Sequence, residues 1–524
     1  MSTNKSIAKS AGIIALATFI SRILGFFRDI VIARLFGVYV YAQAFVVAFK
    51  IPNLLRDSLG EGAANAAFVP VFSEYSVKRD KEEFWRLANV VLNVLLVVLM
   101  LVTILGVIFA PFIVRLIAPG FASSPEKLET TIRLTRIIFP YILLISLAAY
   151  SMAILNTLKH FSVPAFAPCL LNISIIIFAL AWGEGVKGLA AGVLVGGALQ
   201  LAVQVPVLYK KGFRLKFNLD FKHPAIKTIG RLLLPRVFSS SVYQLNNFVD
   251  SIFGSLAWIV GEGGVAVLYF SYRLIQFPLG IFSNSLSQAI LPALSTQALQ
   301  NGHDELKQTL SFGLRATFFV MLPASAAFMV LAHPIVKTLF GGGKFDLNSA
   351  GLTAGALFFY SIGLFAYGGT KILQSCFFAL KDTRTPAKIS ALALALNIIL
   401  NLALMFPLKI GGIALATSLS GIITFFVLLF MLEKKIGDFN NKQIAASFVR
   451  IMLASLCMGA VCFFASRNCG PHCQGALLQL LRLGALIILG VVSYVLFCLI
   501  FKVPEIHELR RWIIKKRSAT PDLF

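Results

Sequence analysis

Basic side chains interrupt several long apolar runs of this sequence. Arg22, Arg28 and Arg34 fall in the first run, Lys50 and Arg56 in the second, and Arg273 much later, within Tyr272-Arg273-Leu274-Ile275-Gln276-Phe277-Pro278. Asp29, Asp57 and Glu61 are the acids that stand among them. An ionised group inside hydrocarbon costs several kcal/mol, so such residues persist where they pair with one another or line a watery path. Here the cations exceed the acids, and a cluster of surplus cations calls for an anion between them. Arginine bonds two phosphate oxygens at once through its planar fork, and lysine adds an adaptable point charge. The pattern therefore suits a phosphate or diphosphate in a water-filled cavity. Arg22, Arg28, Lys50, Arg56 and Arg273 are the candidate ligands, with Asp29 and Glu61 in supporting or gating positions. Cation or drug export would call for acids instead. The competing reading is interfacial snorkelling or ion pairing within a bundle, and Arg34, near its helix end, fits that reading best.

The elements that must position these residues are membrane helices. The 524-residue chain is 58% hydrophobic and 13% charged, with mean hydropathy +0.85, whereas a soluble domain carries about 25% charged residues. Apolar stretches of about 20 residues, enough to span a bilayer, recur along it. They predict an all-α polytopic membrane protein of about fourteen transmembrane helices, bent where they contain Gly or Pro. The formal charge of +25 would suggest nucleic acid in a soluble protein, but here it falls largely in short loops and orients the chain. Lys210, Lys211, Arg214, Lys216, Lys222, Lys227 and Arg231 follow the sixth helix, and Arg510, Arg511, Lys515, Lys516 and Arg517 lie in the tail. These place both termini in the cytoplasm of a bacterial inner membrane. The loop with Lys127, Arg133 and Arg136 is the weak point of that assignment. The amino terminus imitates a secretory leader, but its apolar run continues into Ser21-Arg22 without a small-x-small cleavage site, so it is expected to stay as the first helix.

An internal repeat divides the chain. Ala67-Phe68-Val69-Pro70 recurs as Ala289-Ile290-Leu291-Pro292, Pro111-Phe112-Ile113-Val114 as Pro334-Ile335-Val336, and Val163-Pro164-Ala165 as Thr385-Pro386-Ala387. Asp29 falls opposite Asp250. The offset, about 222 residues, spans six helices, an even number, so both copies share one orientation. Two parallel six-helix bundles are expected, over 1–215 and 225–436, followed by two extra helices over 443–502 and a basic tail over 503–524. Parallel halves flanking a midplane site support alternating access.

Several motifs resemble the MurJ (MviN) lipid II flippase family of the MOP exporter superfamily. They are Ser21-Arg22-Ile23-Leu24-Gly25-Phe26-Phe27-Arg28-Asp29, Ala48-Phe49-Lys50-Ile51-Pro52-Asn53-Leu54-Leu55-Arg56, Glu61-Gly62-Ala63, Phe139-Pro140-Tyr141 and Pro164-Ala165-Phe166-Ala167-Pro168. The resemblance covers essentially the whole chain. It implies a fourteen-helix fold with a central cationic cavity, and translocation of undecaprenyl-diphosphate-linked disaccharide-pentapeptide, lipid II, to the periplasmic leaflet. The family's essential basic residues match Arg22, Arg28, Lys50, Arg56 and Arg273. Gln43 and Gln276 stand where relatives carry acids. The resemblance also implies a candidate sodium site at Asp250, Asn397, Asn401 and Thr417 with the Ile413 carbonyl; interhelical hydrogen bonds are the alternative. For the last two helices it implies a groove for the lipid tail, against simple peripheral packing.

Cys469 and Cys473, in a loop expected to be periplasmic, are either a disulfide or free thiols. No Walker motif is present, so membrane potential or an ion gradient is the expected driving force, and one charge crossing 100 mV is worth about 2.3 kcal/mol. No catalytic residue and no cofactor beyond the candidate sodium ion are expected. The expected partners are lipid II and membrane lipids, with the cell-wall synthesis machinery a further candidate, and no nucleic acid. A flippase for another polyprenyl-diphosphate glycan is the alternative function. A membrane-embedded glycan polymerase would need catalytic acids on its outer loops, which are short and acid-poor.

Overall fold

The computed structural model describes residues 3–58, 64–183, 185–300, 303–468 and 475–506, with side chains for 12–54, 67–183, 185–233, 248–300, 303–468, 475 and 477–506. The expectations for Arg56, Asp57 and Glu61, and for a Cys469–Cys473 disulfide, lie outside the described side chains. Every extended element named above is helical, and no strand occurs among the described residues. Among the described residues ten helices are long and apolar enough to cross a membrane, or eleven if Leu347–Ile362 and Leu364–Ala379, bent by 45° at Gly363, form one span. Thr3–Phe36 and Val40–Ser58, which carry most of the candidate cations, are not among the ten.

The bends fall where Gly and Pro predict them. Pro140 separates Pro125–Ile138 from Tyr141–Thr157. Phe109 and Pro111 mark the break between Lys81–Ile108 and Ala110–Ile117. Beyond Pro278, the helix Gly264–Pro278 passes into a short π-helical stretch, Leu279–Ser283, an irregularity that often sits at functional sites.

The chain divides into two compact units. One comprises Met1–Ala266 with Gly342–Phe345, the other Val267–Gly341 with Asp346–Phe524. In the first, Thr3–Phe36 packs on Ser162–Trp182, and Val40–Ser58 on Pro125–Ile138. Its core holds an aromatic cluster in which Phe72 meets Phe84 and Tyr150 with ring centroids 5.8 and 6.0 Å apart. The buried Tyr150 hydroxyl donates to the Ala88 carbonyl at 2.6 Å. The short segment Gly342–Phe345 joins this unit through the Lys344 N–H, which donates to the Arg34 carbonyl at 2.8 Å. Gly343 is held at φ +58, and a β-carbon there would collide with the Arg34 carbonyl, so glycine is required.

In the second unit Asp304–Val330 is the central helix, packed by Leu364–Ala379 and Asn441–Asn468. Phe318, Phe365, Phe425 and Phe448 fill the space between them, the closest rings being Phe318 and Phe448 at 5.1 Å. The helix Ala476–Ile500 is fastened to the same centre by the Tyr494 hydroxyl, which donates to the Phe319 carbonyl at 2.7 Å.

One helix-ending turn recurs at the offset of the sequence repeat. Lys159 and Lys381, about 222 residues apart, both adopt positive φ, 59° and 58°. Around them the same turn recurs: His160 N–H to Leu155 carbonyl at 2.8 Å in one unit, Asp382 N–H to Phe377 carbonyl at 2.9 Å in the other. A helix closed by a left-handed residue in this way satisfies its last carbonyls.

Candidate functional site

Four of the five candidate phosphate ligands lie on described side chains, three in the first unit and Arg273 in the second. Arg28 and Asp29 sit on Thr3–Phe36, where that helix packs on Ser162–Trp182, and both are buried. The Arg28 guanidinium donates to Asp29 Oδ1 through Nη2 at 2.8 Å and Nε at 3.1 Å, and through Nη1 to Asn172 Oδ1 at 3.1 Å. Asn172 in turn donates to the Ser21 carbonyl at 3.1 Å. The charge at Arg28 is therefore balanced inside the protein, as ionisation in a low-dielectric setting requires. Arg22, on the same helix, is exposed and has no hydrogen-bond or ion-pair partner among the described residues. It is the cation most available to a ligand.

Lys50 is half-buried on Val40–Ser58. Its ammonium donates to the Ser251 hydroxyl, lies 5.4 Å from the centre of the Phe248 ring, and has the Asp250 carboxylate near enough to attract it. Asp250, one of the candidate sodium ligands, thus belongs to the first unit and faces a lysine. Gln43, on the Lys50 helix, is 2% exposed and its amide nitrogen has no partner among the described residues. An acid at this position would be an acceptor; glutamine leaves a buried donor open instead.

In the second unit Arg273 is half-buried beside the Tyr269 ring, 5.7 Å from its centre, and donates to Gln276 Oε1 at 3.1 Å. Gln276 supplies the oxygen that an acid would have offered, without the charge. Asn397, Asn401 and Thr417 come together, but as a relay. Asn401 donates to Asn397 Oδ1 at 3.0 Å, Asn397 to Thr417 Oγ1 at 3.2 Å, and Thr417 to the Ile413 carbonyl at 3.2 Å. Of the three, the Asn397–Thr417 bond joins two helices and the other two run within one helix each. Their oxygens are neutral, and in this arrangement the Asn397 and Thr417 oxygens already accept from protein donors. No cluster of three or more His, Cys, Asp or Glu able to hold a metal occurs among the described residues.

A family model described as lipid II flippase MurJ matches residues 32–482. The chain belongs to the MurJ lipid II flippase family. It is 37% identical over 455 residues to a probable lipid II flippase MurJ of Buchnera aphidicola subsp. Acyrthosiphon pisum, covering 86% of this chain and 88% of that one. A probable lipid II flippase MurJ of Vibrio cholerae is 33% identical over 516 residues, 96% of this chain and 98% of its own. Among solved structures, a lipid II flippase MurJ in an inward closed conformation superposes with a TM-score of 0.78 at 28% identity, covering 94% of this chain and 99% of that one. An inward-facing MATE multidrug transporter of the MOP superfamily shares the fold alone, with a TM-score of 0.65 at 17% identity over 81% of this chain and 98% of its own. MurJ family membership makes the chain a polytopic membrane transporter rather than an enzyme.

Two ion pairs of this MurJ family chain, the second buried on both sides, escape a reading of its sequence. Lys127, 5% exposed, bonds Glu262 at 2.9 Å and lies 5.4 Å from the centre of the Phe121 ring. Arg315, in the middle of an apolar helix, bonds Glu505 at 2.9 Å, and the Ser447 hydroxyl donates to the same oxygen at 2.7 Å. The faint signal for this pair was an arginine with no acid near it in sequence and a lone glutamate just past the last apolar run.

Proposed function

We propose that this chain translocates lipid II, the undecaprenyl-diphosphate-linked peptidoglycan precursor, from the cytoplasmic to the periplasmic leaflet of the inner membrane by alternating access. The observation that carries this reading is the family match over residues 32–482, because that family is named for this cargo. In the proposed cycle Arg22 makes the first contact with the diphosphate, since its guanidinium is exposed and has no protein partner among the described residues. Lys50 adds a point charge, and Arg56 extends the basic set. Arg28 enters by exchange: a phosphate oxygen replaces Asp29 Oδ1 on the guanidinium fork, so the arginine never lacks an anion. Arg273 is the corresponding cation of the second unit, kept in place by Gln276 and Tyr269. The lipid tail stays in hydrocarbon while the headgroup passes, and both termini stay cytoplasmic. No step is routed through sodium; the relay of Asn401, Asn397 and Thr417 serves here as a hydrogen-bonded seam.

Conditional depletion in the native cell tests the proposal. Lipid II should accumulate in the inner leaflet and the cells should lyse. Normal wall synthesis with a missing surface polysaccharide would overturn it in favour of another polyprenyl-diphosphate cargo.

A further inference from the structure

Between the helices Val205–Lys211 and Pro224–Gly254 the chain runs without helix or strand from residue 213 to 220. Loop charges alone make this a solvated connector, yet its backbone is held in register along a membrane helix. Gly212, at φ 107°, turns the chain out of the preceding helix. Phe213 is buried against Trp85, with ring centroids 5.8 Å apart. Two buried asparagines of Lys81–Ile108 then grip the main chain. Asn89 donates to the Arg214 carbonyl at 3.0 Å and accepts from the Lys216 N–H at 2.7 Å. Asn93 donates to the carbonyls of Lys216 at 2.9 Å and Asn218 at 3.2 Å. The spacing matches: four helical residues rise about 6 Å, and two extended residues advance about 6.6 Å.

Gripped through its even-numbered residues, the segment sorts its side chains by type. Leu215, Phe217 and Leu219 alternate with Arg214, Lys216, Asn218 and Asp220, as a period of two requires. The apolar members are exposed, Phe217 by 85%, Leu215 by 61% and Leu219 by 38%, and Phe221 follows at 55%. The gripping helix is itself a candidate span, and one turn beyond Asn93 it exposes Val97 and Val98. The apolar face of the segment therefore continues a surface already directed at lipid. Depth is limited by the outer backbone edge. Leu215, Phe217 and Leu219 make no backbone hydrogen bond among the described residues, and hydrocarbon offers no partner for such groups, whereas headgroups and interfacial water do.

We propose that residues 213–222 form an amphipathic ribbon seated in the headgroup zone of an anionic bilayer, its apolar side chains among acyl chains and Arg214, Lys216 and Lys222 on lipid phosphates. Basic residues beside a span favour an anionic leaflet, and Lys210 and Lys211 extend the charge. The ribbon is then an anchored strap within the first unit rather than a free linker. The inference rests on the membrane span and the asparagine grip, and it is independent of the cargo.

The test uses the full chain with its native cysteines replaced, carrying one cysteine with a nitroxide label at each position from 214 to 221. It is reconstituted in vesicles of phosphatidylethanolamine and phosphatidylglycerol. Oxygen collision rates should be several-fold higher at Leu215→Cys, Phe217→Cys and Leu219→Cys than at Lys216→Cys and Asn218→Cys. A water-soluble nickel chelate should show the opposite order. Uniform access of the chelate to every position would overturn the proposal. With Asn93→Leu added to the Phe217→Cys chain, the label should move toward water; an unchanged oxygen rate would remove the asparagine grip from it. Exchanging phosphatidylglycerol for phosphatidylcholine should shift the label the same way, and no shift would overturn the anionic part.

Discussion

Each unit buries one arginine–carboxylate pair of nearly equal length, Arg28–Asp29 at 2.8 Å in the first and Arg315–Glu505 at 2.9 Å in the second. In sequence they are opposites. Asp29 is the next residue after Arg28, whereas Glu505 lies 190 residues beyond Arg315. The adjacent pair forms as soon as its helix does, and Arg28 also reaches the helix Ser162–Trp182 through Asn172. It balances a buried cation from within the same helix. The distant pair, with Ser447 on the same oxygen, fastens the end of the chain to the central helix Asp304–Val330. In the proposed cycle the first pair serves cargo, whereas the second joins distant parts of the chain.

Substitutions can break that distinction. Removing one partner of a buried pair costs about 3–5 kcal/mol because a charge is left uncompensated. Arg28→Ala and Glu505→Ala should therefore both lower unfolding stability by that order in detergent. Translocation per folded molecule should be lost in Arg28→Ala and retained in Glu505→Ala. If transport falls equally in both, the distinction fails.

Replacing both partners by apolar residues sharpens it, since such exchanges are often neutral or stabilising. Arg315→Met with Glu505→Leu should recover stability and keep transport. Arg28→Met with Asp29→Leu should recover stability while translocation stays lost. Transport by the second double variant would remove Arg28 from the cargo path.

Asn172→Ala deletes the acceptor of Arg28 Nη1 and a donor to the Ser21 carbonyl, and should cost about 1–3 kcal/mol. Its transport defect should be smaller than that of Arg28→Ala, because Asp29 still balances the charge; an equal defect would make positioning by Asn172 as important as the cation itself.

The smallest effect belongs to a pair at a loop. Asp382 is drawn down to about 2, first by its hydrogen bond from Lys435 and then by the Thr385 N–H. A carboxyl depressed in the folded state adds stability that is present above its unfolded value, near 3.8, and is lost as pH falls through about 2. Lys435 is partly solvated, so screening keeps the worth of the pair below about 1 kcal/mol. Asp382→Asn should be slightly less stable than the parent at neutral pH, and the two unfolding curves should converge toward pH 2. A constant difference across that range would assign the effect to the turn rather than to the charge.

Much of the molecule was legible from residue types alone. Helix breaks at Phe109–Pro111, Pro140 and Gly363 follow from proline and glycine chemistry, which acts locally. Lys159 and Lys381, one repeat offset apart, close their helices with the same left-handed turn. The basic set was legible as a surplus of charge, but its members proved unequal. Arg28 is saturated by Asp29 and Asn172, Arg22 is open, and Lys50 faces Ser251 and Asp250. Nothing in their spacing separates these states, since the helix partner decides them.

By itself the sequence determined the membrane, the helical content and the family. Hydrophobicity and family motifs are sums over neighbours along the chain, and they survive without coordinates. Tertiary structure alone decided which charges are neutralised. Lys127 with Glu262 and Arg315 with Glu505 pair across 135 and 190 residues, distances over which no periodicity carries information. It also decided that the connector at 213–220 is gripped rather than free, because the asparagines that hold it lie more than a hundred residues earlier and meet it through its main chain, which has no sequence signature.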